Sequence, residues 1–295
     1  MTHRDDATTA QSPGARLRRL LADGGLVVAP GVFDGLSAHL VRRAGFRAAY
    51  LTGAGIAAAG FGLPDIGLVS GSEMAERASM VTGVLGGLPL IADADTGYGS
   101  PLNVARTVQM YEKAGVAAIQ LEDQAFPKRC GHLPGKELIS EPEFLTKLGA
   151  ALDTRTDALI VARTDARAVL GLSAAIDRAN AYARAGADVI FVEAPRSAEE
   201  IERIAREVKA RLLINMVQGG LTPEAGPEFL QSLGYAIAIH PANLLMATAK
   251  GMIGALQHLG GKTPEVTATG IEALFELVGL REWSVLGEAW TRAQP

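Results

Sequence analysis

The stretch RRAGFRAAYLTG, residues 42–53, joins a basic helix end, a glycine and an apolar run that closes on a polar residue. The same pattern returns in EKAGVAAIQLED (residues 112–123), ARAGADVIFVEA (183–194) and SLGYAIAIHP (232–241). In each copy the glycine stands where a helix ends, a position that favours a residue able to adopt a left-handed conformation. We therefore interpret each copy as the end of a helix followed directly by a buried parallel strand.

Eight apolar runs of this kind predict eight strands, near residues 26–30, 48–52, 89–93, 117–122, 158–163, 188–193, 211–216 and 235–240. The segments between them have helical spacing, as in residues 103–113. Eight β-then-α units in one chain predict a single (β/α)8 TIM barrel over residues 16–295, with C-terminal helices as an extension. A doubly wound open sheet is the rival fold, but no GxGxxG motif follows the first strand. Residues 1–15 lack an apolar period and are predicted to be a disordered tail.

The composition excludes several classes of function. The chain has 28 Lys and Arg against 32 Asp and Glu, and no long basic run, so we expect no nucleic-acid partner. Its single cysteine predicts a reducing, cytoplasmic location. The long uncharged runs at residues 48–64 and 229–249 contain glycines and polar residues, so we expect no membrane partner.

Almost every predicted strand ends in a polar or charged side chain. These residues are Thr52, Asp93, Asp95, Glu122, Asp123, Arg163, Asp165, Glu193, Asn215 and His240. Any one of them alone is as well explained by helix capping or loop structure. In a barrel, however, the carboxyl ends of the strands converge on the face where active sites are built. The set therefore predicts a polar pocket that binds a small molecule.

Four carboxylates within this set suggest a metal site. Asp93 and Asp95 are two residues apart and point to the same side of an extended segment. Glu122 ends the next strand, and Asp65 lies in the loop GLPDIG. Carboxylates brought together repel one another unless a cation neutralises them, and ligands that are all oxygen favour Mg²⁺ or Mn²⁺.

The only cysteine, Cys130, lies in the segment PKRCGH, residues 127–132. Glycines and prolines surround it, so the loop is suited to close over the barrel mouth as a lid. Its charged neighbours argue against burial in an apolar core, and the absence of a second cysteine argues against zinc. We expect Lys128, Arg129 and His132 to lower the pKa of the thiol and to prepare it for proton transfer.

With these motifs in this order, the chain resembles the isocitrate lyase/phosphoenolpyruvate mutase superfamily over residues 16–290. The resemblance is carried by YLTGAG, GLPDIG, DADTGYG, LEDQ, PKRCGH, ARTDA, FVEA and INM. The segment KRCGH is similar to the branch that contains methylisocitrate lyase and 2,3-dimethylmalate lyase. This resemblance implies Mg-dependent cleavage of a C–C bond in a 2-hydroxy di- or tricarboxylate, with Cys130 protonating the leaving aci-carboxylate.

The resemblance also implies a role for each site residue. Asp93 would bind the metal directly, and Asp65, Asp95 and Glu122 would act through water. The 2-oxo acid half would be held by Thr52, Gly53 and Ala54, with Tyr50 beside its oxygen. The other half of the substrate would be surrounded by Arg163, Glu193, Asn215, Gly131 and His132.

Two departures from the family pattern leave the substrate open. Relatives often carry Glu where this chain has Gln218, and Tyr where it has His240. The alternatives are therefore an enzyme like carboxyphosphonoenolpyruvate phosphonomutase, an oxaloacetate hydrolase or decarboxylase, and a non-catalytic acid-binding protein. For His240, a structural role and a substrate contact are equally good explanations.

Residues 270–290 form an apolar-rich helical pair that covers its own barrel or packs on another subunit. The resemblance implies the second arrangement, with a helix exchanged between subunits and two such dimers paired into a homotetramer.

Overall fold

In a computed structural model, which describes residues 11–266 and 268–292, eight parallel strands close into a barrel. Each strand pairs with the next in chain order, and β8 pairs with β1. The strands are β1 Val27–Val32, β2 Ala49–Leu51, β3 Leu90–Asp93, β4 Ala118–Glu122, β5 Leu159–Thr164, β6 Val189–Val192, β7 Leu212–Asn215 and β8 Tyr235–His240. The predicted (β/α)8 TIM barrel is confirmed, with strand positions within two residues of those expected.

The helices surround the strands and extend beyond β8. They are α1 Pro13–Ala22, α2 Gly35–Arg43, α3 Gly53–Gly55, α4 Gly71–Leu85, α5 Pro101–Lys113, α6 Glu141–Thr154, α7 Ala166–Val169, α8 Leu172–Ala185, α9 Ala198–Glu207, α10 Pro227–Ser232, α11 Asn243–His258, α12 Gly270–Leu277 and α13 Leu280–Arg292. A π-helix, Ile56–Phe61, continues α3. Within the described residues, none of these helices has the length and apolar character needed to cross a bilayer.

Glycines end the helices where the repeated sequence pattern predicts. The φ angle is +109° at Gly186 and +84° at Gly234, and each glycine lies between the end of a helix and the start of the next strand. A side chain is strained in this conformation, so a glycine lets the chain reverse from helix to strand within two or three residues. The repeat therefore fixes where each strand begins.

Helix α1 closes the bottom of the barrel, opposite the strand ends. Leu17 is fully buried against the interior of the barrel. Ser12 caps the helix, and Asp157 accepts hydrogen bonds from Ser12 Oγ (2.5 Å) and Gly14 N (2.7 Å). These contacts start the helix at Pro13, inside the predicted tail of residues 1–15; residues 1–10 lie outside the described part.

The helical pair predicted at residues 270–290 is present as α12 and α13. Ile271 and Phe275 of α12 are buried against the chain's own barrel. In α13, by contrast, Val285 is 62% exposed and Trp290 64% exposed. One helix of the pair therefore covers its own subunit, and the other presents apolar surface outward.

Glu112, at the end of α5, stabilises the turn that leads into β5. Its carboxylate accepts hydrogen bonds from the amides of Thr156 (2.8 Å), Asp157 (2.7 Å) and Ala158 (2.8 Å). Partial burial alone would raise the pKa of this carboxyl, but these hydrogen bonds outweigh burial and hold the pKa below its usual value. The ionised form is therefore the one that the fold stabilises.

We expect Glu112→Gln to lower the free energy of unfolding by about 1–2 kcal/mol at pH 7, because charge-assisted hydrogen bonds to three amides are lost. A depressed folded-state pKa means that this contribution is present above the pKa of the unfolded state and is lost as the pH falls through the folded value. Urea denaturation at pH 7 and below about pH 4 should show the difference shrinking in acid. The control is Glu76→Gln, at an exposed position on α4; equal losses in the two variants would contradict this account.

Candidate active site

The polar strand ends surround one cavity of about 40 Å³ at the carboxyl-terminal mouth of the barrel. Of the residues predicted for the site, those that line it are Tyr50, Thr52, Ala54, Asp65, Asp93, Cys130, Gly131, His132, Arg163, Glu193 and Asn215. Gly53, Asp95 and Glu122 are not part of the lining. Gly53 nevertheless packs against Asp93, because a Cβ added there would lie 2.9 Å from Asp93 Oδ2.

The first half of the site is built around Lys128, whose Nζ ion-pairs with Asp65 and lies 2.9 Å from Asp95 Oδ1. Asp93 lies alongside and accepts hydrogen bonds from Gln120 Nε2 (3.3 Å) and the amide of Asp95 (3.1 Å). Burial, with Asp93 and Asp65 nearby, raises the pKa of Asp95 to about 7 despite the lysine. One ammonium group is therefore not enough to compensate these three carboxylates.

Arg163, at the end of β5, holds the second half together. Its Nε and Nη2 donate to the two oxygens of Asp165, at 2.8 and 3.0 Å. Nε also lies 3.3 Å from Glu122 Oε2, and Nη1 lies 3.4 Å from Glu193 Oε2. Burial outweighs the attraction of Arg163 and raises the pKa of Glu122 well above its usual range. Here too the buried carboxylates outnumber the cation that binds them.

The balance of charge in the site fits an added divalent cation. The carboxylate cluster consists of Asp65, Asp93, Asp95, Glu122, Asp165 and Glu193, and the cations beside it are Lys128, Lys136 and Arg163. Two buried oxygens of this cluster, Asp95 Oδ1 and Glu122 Oε1, accept no hydrogen bond; the close approach of Lys128 to the first lacks hydrogen-bond geometry. Within residues 11–266 and 268–292, no three His, Cys, Asp or Glu side chains enclose a metal position by themselves. A cation here would thus complete its shell with water and substrate, as Mg²⁺ commonly does.

The loop that carries Cys130 lies over this cavity, held by the Cys130 amide, which donates to the Asp65 carbonyl at 3.1 Å. The expectation for the thiol itself is wrong on two points. Cys130 is buried, with 9% of its surface exposed, and burial raises the pKa of its thiol to about 12. Lys128 points at carboxylates and the Arg129 side chain is exposed, so the basic neighbours do not offset burial and the nearby Asp65. The thiol keeps its proton at neutral pH.

His132 reaches from the same loop into the cavity. The Leu221 amide donates to its Nδ1 at 3.1 Å, which places the proton of a neutral ring on Nε2. Nε2 faces Asn215 Nδ2 at 3.4 Å and Glu193 Oε1 at 3.7 Å. Burial lowers the pKa of His132, an effect that Glu193 opposes and Arg163 reinforces. The ring is therefore a neutral hydrogen-bonding group at pH 7.

The two residues that depart from the family pattern lie apart from this cavity. Gln218 and His240 line a neighbouring cavity of about 300 Å³, together with Glu224 and Asn243. Burial lowers the pKa of His240. The residues on either side of His240, Ile239 and Pro241, line the central cavity instead.

Sequence reasoning missed several side chains that shape the site. Gln120 donates to Asp93 and accepts from Tyr50 OH at 3.2 Å; its position two residues before Glu122 on one strand was a usable signal. Asp165 was noted only as a strand-end residue, although it holds Arg163 on two hydrogen bonds. Lys136 is a buried residue of the loop, and no motif marks it.

The chain is similar in sequence and in fold to known proteins. A family model described as phosphoenolpyruvate phosphomutase matches residues 17–259. The chain is 47% identical over 241 residues to 2,3-dimethylmalate lyase of Eubacterium barkeri, covering 81% of this chain and 83% of the relative. It is 49% identical over 240 residues to 2-methylisocitrate lyase of Aeropyrum pernix, covering 81% and 77%. The crystal structure of a 2,3-dimethylmalate lyase superposes with a TM-score of 0.83 at 37% identity, covering 95% of this chain and 96% of that one.

Gly131 provides a test of how closely the loop must approach the barrel. A Cβ at this position would lie 2.7 Å from both Arg163 Nη2 and Glu193 Cγ, so Gly131→Ala should lift the loop from the cavity. We expect iodoacetamide to alkylate Cys130 at least tenfold faster in this variant, measured by intact-mass spectrometry. In the control, Gly149→Ala, nothing lies within 4 Å of the added Cβ, and the labelling rate should stay at the wild-type value. Equal rates in the two variants would contradict the close approach.

Proposed function

The chain belongs to the phosphoenolpyruvate mutase/isocitrate lyase superfamily, and from this premise we propose that it is a divalent-metal-dependent carbon–carbon lyase. Its substrate is a 2-hydroxy di- or tricarboxylate of the 2-alkylmalate or 2-methylisocitrate type. One observation carries this assignment: Asp93, Arg163, Asn215 and Cys130 all line a single cavity, and Cys130 comes from the loop that lies over it. This arrangement offers a cation site, a carboxylate-binding side and a proton donor within one small space.

The end of β2 is suited to hold the half of the substrate that becomes the 2-oxo acid. Thr52 Oγ1 accepts from the Gly55 amide at 3.1 Å, which fixes the turn containing Gly53 and Ala54. Tyr50, buried beside this turn, donates to Gln120 and keeps its proton, because burial raises the pKa of its hydroxyl. We assign Thr52, Gly53 and Ala54 to the substrate carboxylate and Tyr50 to the neighbouring substrate oxygen.

Asp93, with Asp65, Asp95 and Glu122 around it, would hold Mg²⁺ or Mn²⁺. The excess of buried carboxylates and the two oxygens without hydrogen bonds support this assignment. The chemistry that such an ion supplies is that of a Lewis acid, which stabilises negative charge on the oxygen that becomes the carbonyl. The protein contributes the fixed orientation of these carboxylates.

Cleavage requires that the 2-hydroxyl give its proton to a base, a role we assign to Glu122 because burial raises the pKa of its carboxyl and favours proton uptake, and that the C2–C3 bond break. The bonding pair leaves with C3, so one product is a 2-oxo acid, pyruvate or glyoxylate, and the other departs as an aci-carboxylate. Arg163, Asn215 and His132 face the place where this charge develops and can stabilise it as fixed donors. Cys130 then gives its thiol proton to the carbon, which completes the carboxylic acid product.

The C-terminal helices support a further part of the proposal, which is that the enzyme assembles into a homo-oligomer. Val285 and Trp290 of α13 and Leu259 after α11 are more than half exposed. Large exposed apolar side chains grouped on terminal helices are typical of subunit interfaces. We propose further that two subunits exchange a helix and that two such dimers pair into a tetramer. We also propose that the enzyme is cytoplasmic.

The first test measures 2-oxo acid release from 2-alkylmalates, isocitrate, 2-methylisocitrate and oxaloacetate, with Mg²⁺ and with excess chelator. We expect release that depends on the metal, and a loss of at least ~100-fold in kcat in Cys130→Ser, because a positioned proton donor contributes roughly that factor or more. The control, Glu137→Gln, changes an exposed residue at the end of the same loop and should keep wild-type turnover.

Other results of this assay would redirect the assignment. Release from oxaloacetate alone would indicate an oxaloacetate-cleaving enzyme. Turnover only on a phosphonate, assayed by phosphorus NMR, would indicate a phosphonomutase. A folded protein that binds these acids without turning over any of them would be an acid-binding protein.

The assembly is tested separately by light scattering coupled to size-exclusion chromatography. We expect a mass of four chains of 30.8 kDa for the wild type. Trp290→Glu should dissociate it, because a charge would be buried in the apolar contact. A matched change, Glu76→Lys on the exposed side of α4, should leave the mass unchanged. A wild type that elutes with the mass of one chain would overturn the oligomer proposal.

A further inference from the structure

The loop that carries Cys130 also carries a buried lysine, which the reaction described above does not use. Lys136 has 3% of its side chain exposed. Its Nζ donates to the carbonyl of Gly131 and, at 3.2 Å, to the carbonyl of Leu133. These carbonyls belong to the residues on either side of His132, so one ammonium group holds the loop backbone before and after the histidine.

The lysine also lies close to Asp165, the aspartate that binds Arg163. Its Nζ lies 3.9 Å from Asp165 Oδ1, the oxygen that accepts from Arg163 Nη2 at 3.0 Å. Asp165 is fixed in turn, because its amide donates to Asp123 Oδ1 at 2.9 Å. Asp165 is thus a fixed anion that faces both the loop cation and the substrate-side arginine.

The Asp123 carboxylate is in turn held in place by three further donors. Its second oxygen accepts from Thr164 Oγ1 (2.7 Å), Tyr182 OH (2.8 Å) and Arg178 Nη1 (3.0 Å). These donors come from β5 and α8, so Asp123, and Asp165 through it, is anchored to the barrel wall and not to the loop. Lys136 contacts both the loop carbonyls and Asp165, and can therefore set the distance between the loop and the cavity.

Two features show why this height matters. The backbone of Gly131 fits against Arg163 and Glu193 with no room for a Cβ. His132 contacts Leu221 and Asn215 from its position on this loop, so these contacts depend on the loop lying against the barrel. Burying an ammonium group is unfavourable unless the group is hydrogen-bonded and paired with an anion. The anion beside Lys136, Asp165, belongs to the barrel, so this pairing requires the loop to lie against the barrel.

We propose that Lys136 is a positioning residue, which holds residues 130–133 against the cavity by tying the Gly131 and Leu133 carbonyls to Asp165. The catalytic part of this inference rests on the proposed lyase function; the positional part does not. Removing the ammonium leaves the loop free to open, so Cys130 and His132 spend less time at the substrate. Turnover should therefore fall, and the accessibility of the thiol should rise, in the same variant.

Because Cys130 is the only cysteine, a thiol reagent reports on this residue alone. The accessibility of its thiol can therefore be measured without any substrate. The rate of reaction with 5,5′-dithiobis(2-nitrobenzoate) at pH 8 is compared for wild type, Lys136→Met and Lys209→Met. Lys209 is a matched control, since its Nζ donates to the Arg206 carbonyl at 2.7 Å on an exposed helix end. We expect a rate at least tenfold higher in Lys136→Met and an unchanged rate in Lys209→Met.

Turnover is then measured on the best substrate of the panel. We expect kcat to fall at least tenfold in Lys136→Met. In Lys136→Ala, 50 mM butylamine should restore part of the activity and slow the thiol reaction, because a cavity of about 360 Å³ borders Lys136 and admits a small amine. Recovery by an added ammonium distinguishes positioning from a general loss of structure.

The outcomes separate the two proposals. A folded Lys136→Met with thiol reactivity and kcat within twofold of wild type overturns the role of Lys136 and leaves the lyase assignment standing. A wild type without turnover on the panel overturns the lyase assignment, while the thiol rates still decide whether Lys136 holds the loop. If Lys136→Met does not fold, Lys136→Gln is measured in the same way: a thiol rate raised at least fivefold supports the proposal, and a rate within twofold of wild type overturns it.

Discussion

The site is organised by the repulsion between carboxylates that the barrel gathers at one end. Parallel strands that close into a ring place their carboxyl ends together, so Asp93, Glu122 and Glu193 must share a space from which water is largely excluded. Lys128 and Arg163 offset this repulsion only in part, as the raised pKa of Asp95 and Glu122 shows. The loop above supplies Lys128, which partly neutralises this charge, and the remainder is what the proposed cation would neutralise.

The barrel could be predicted from the sequence because its determinants are local. A helix end, a glycine with positive φ and an apolar strand recur as short patterns, and each pattern fixes its own element. Most of the predicted site followed from the same logic, since residues at strand ends such as Thr52 and Asn215 must meet at the barrel mouth. Their individual roles stay predictions, because geometry alone shows proximity and not function.

The thiol and its surroundings could not be predicted, because they depend on how a long loop packs. The sequence places three basic groups near Cys130, which suggests a lowered pKa. In the folded chain Lys128 turns to Asp65, Arg129 turns outward, and burial raises the pKa instead. Side-chain direction in an irregular segment is set by tertiary partners that lie some sixty residues away in the sequence. Lys136 escaped notice for the same reason, since its acceptors are loop carbonyls that no pattern reveals.

Helix α1 and the Glu112 turn lie at the opposite end of the barrel from the cavity, and this separation has an evolutionary consequence. The hydrogen bonds to Asp157 join α1 to the turn before β5, and neither Asp157 nor its partners line the cavity. Changes at the bottom can therefore raise or lower stability while the chemistry at the mouth is preserved. Loops at the mouth can in turn diverge toward new substrates on a frame whose stability is secured elsewhere.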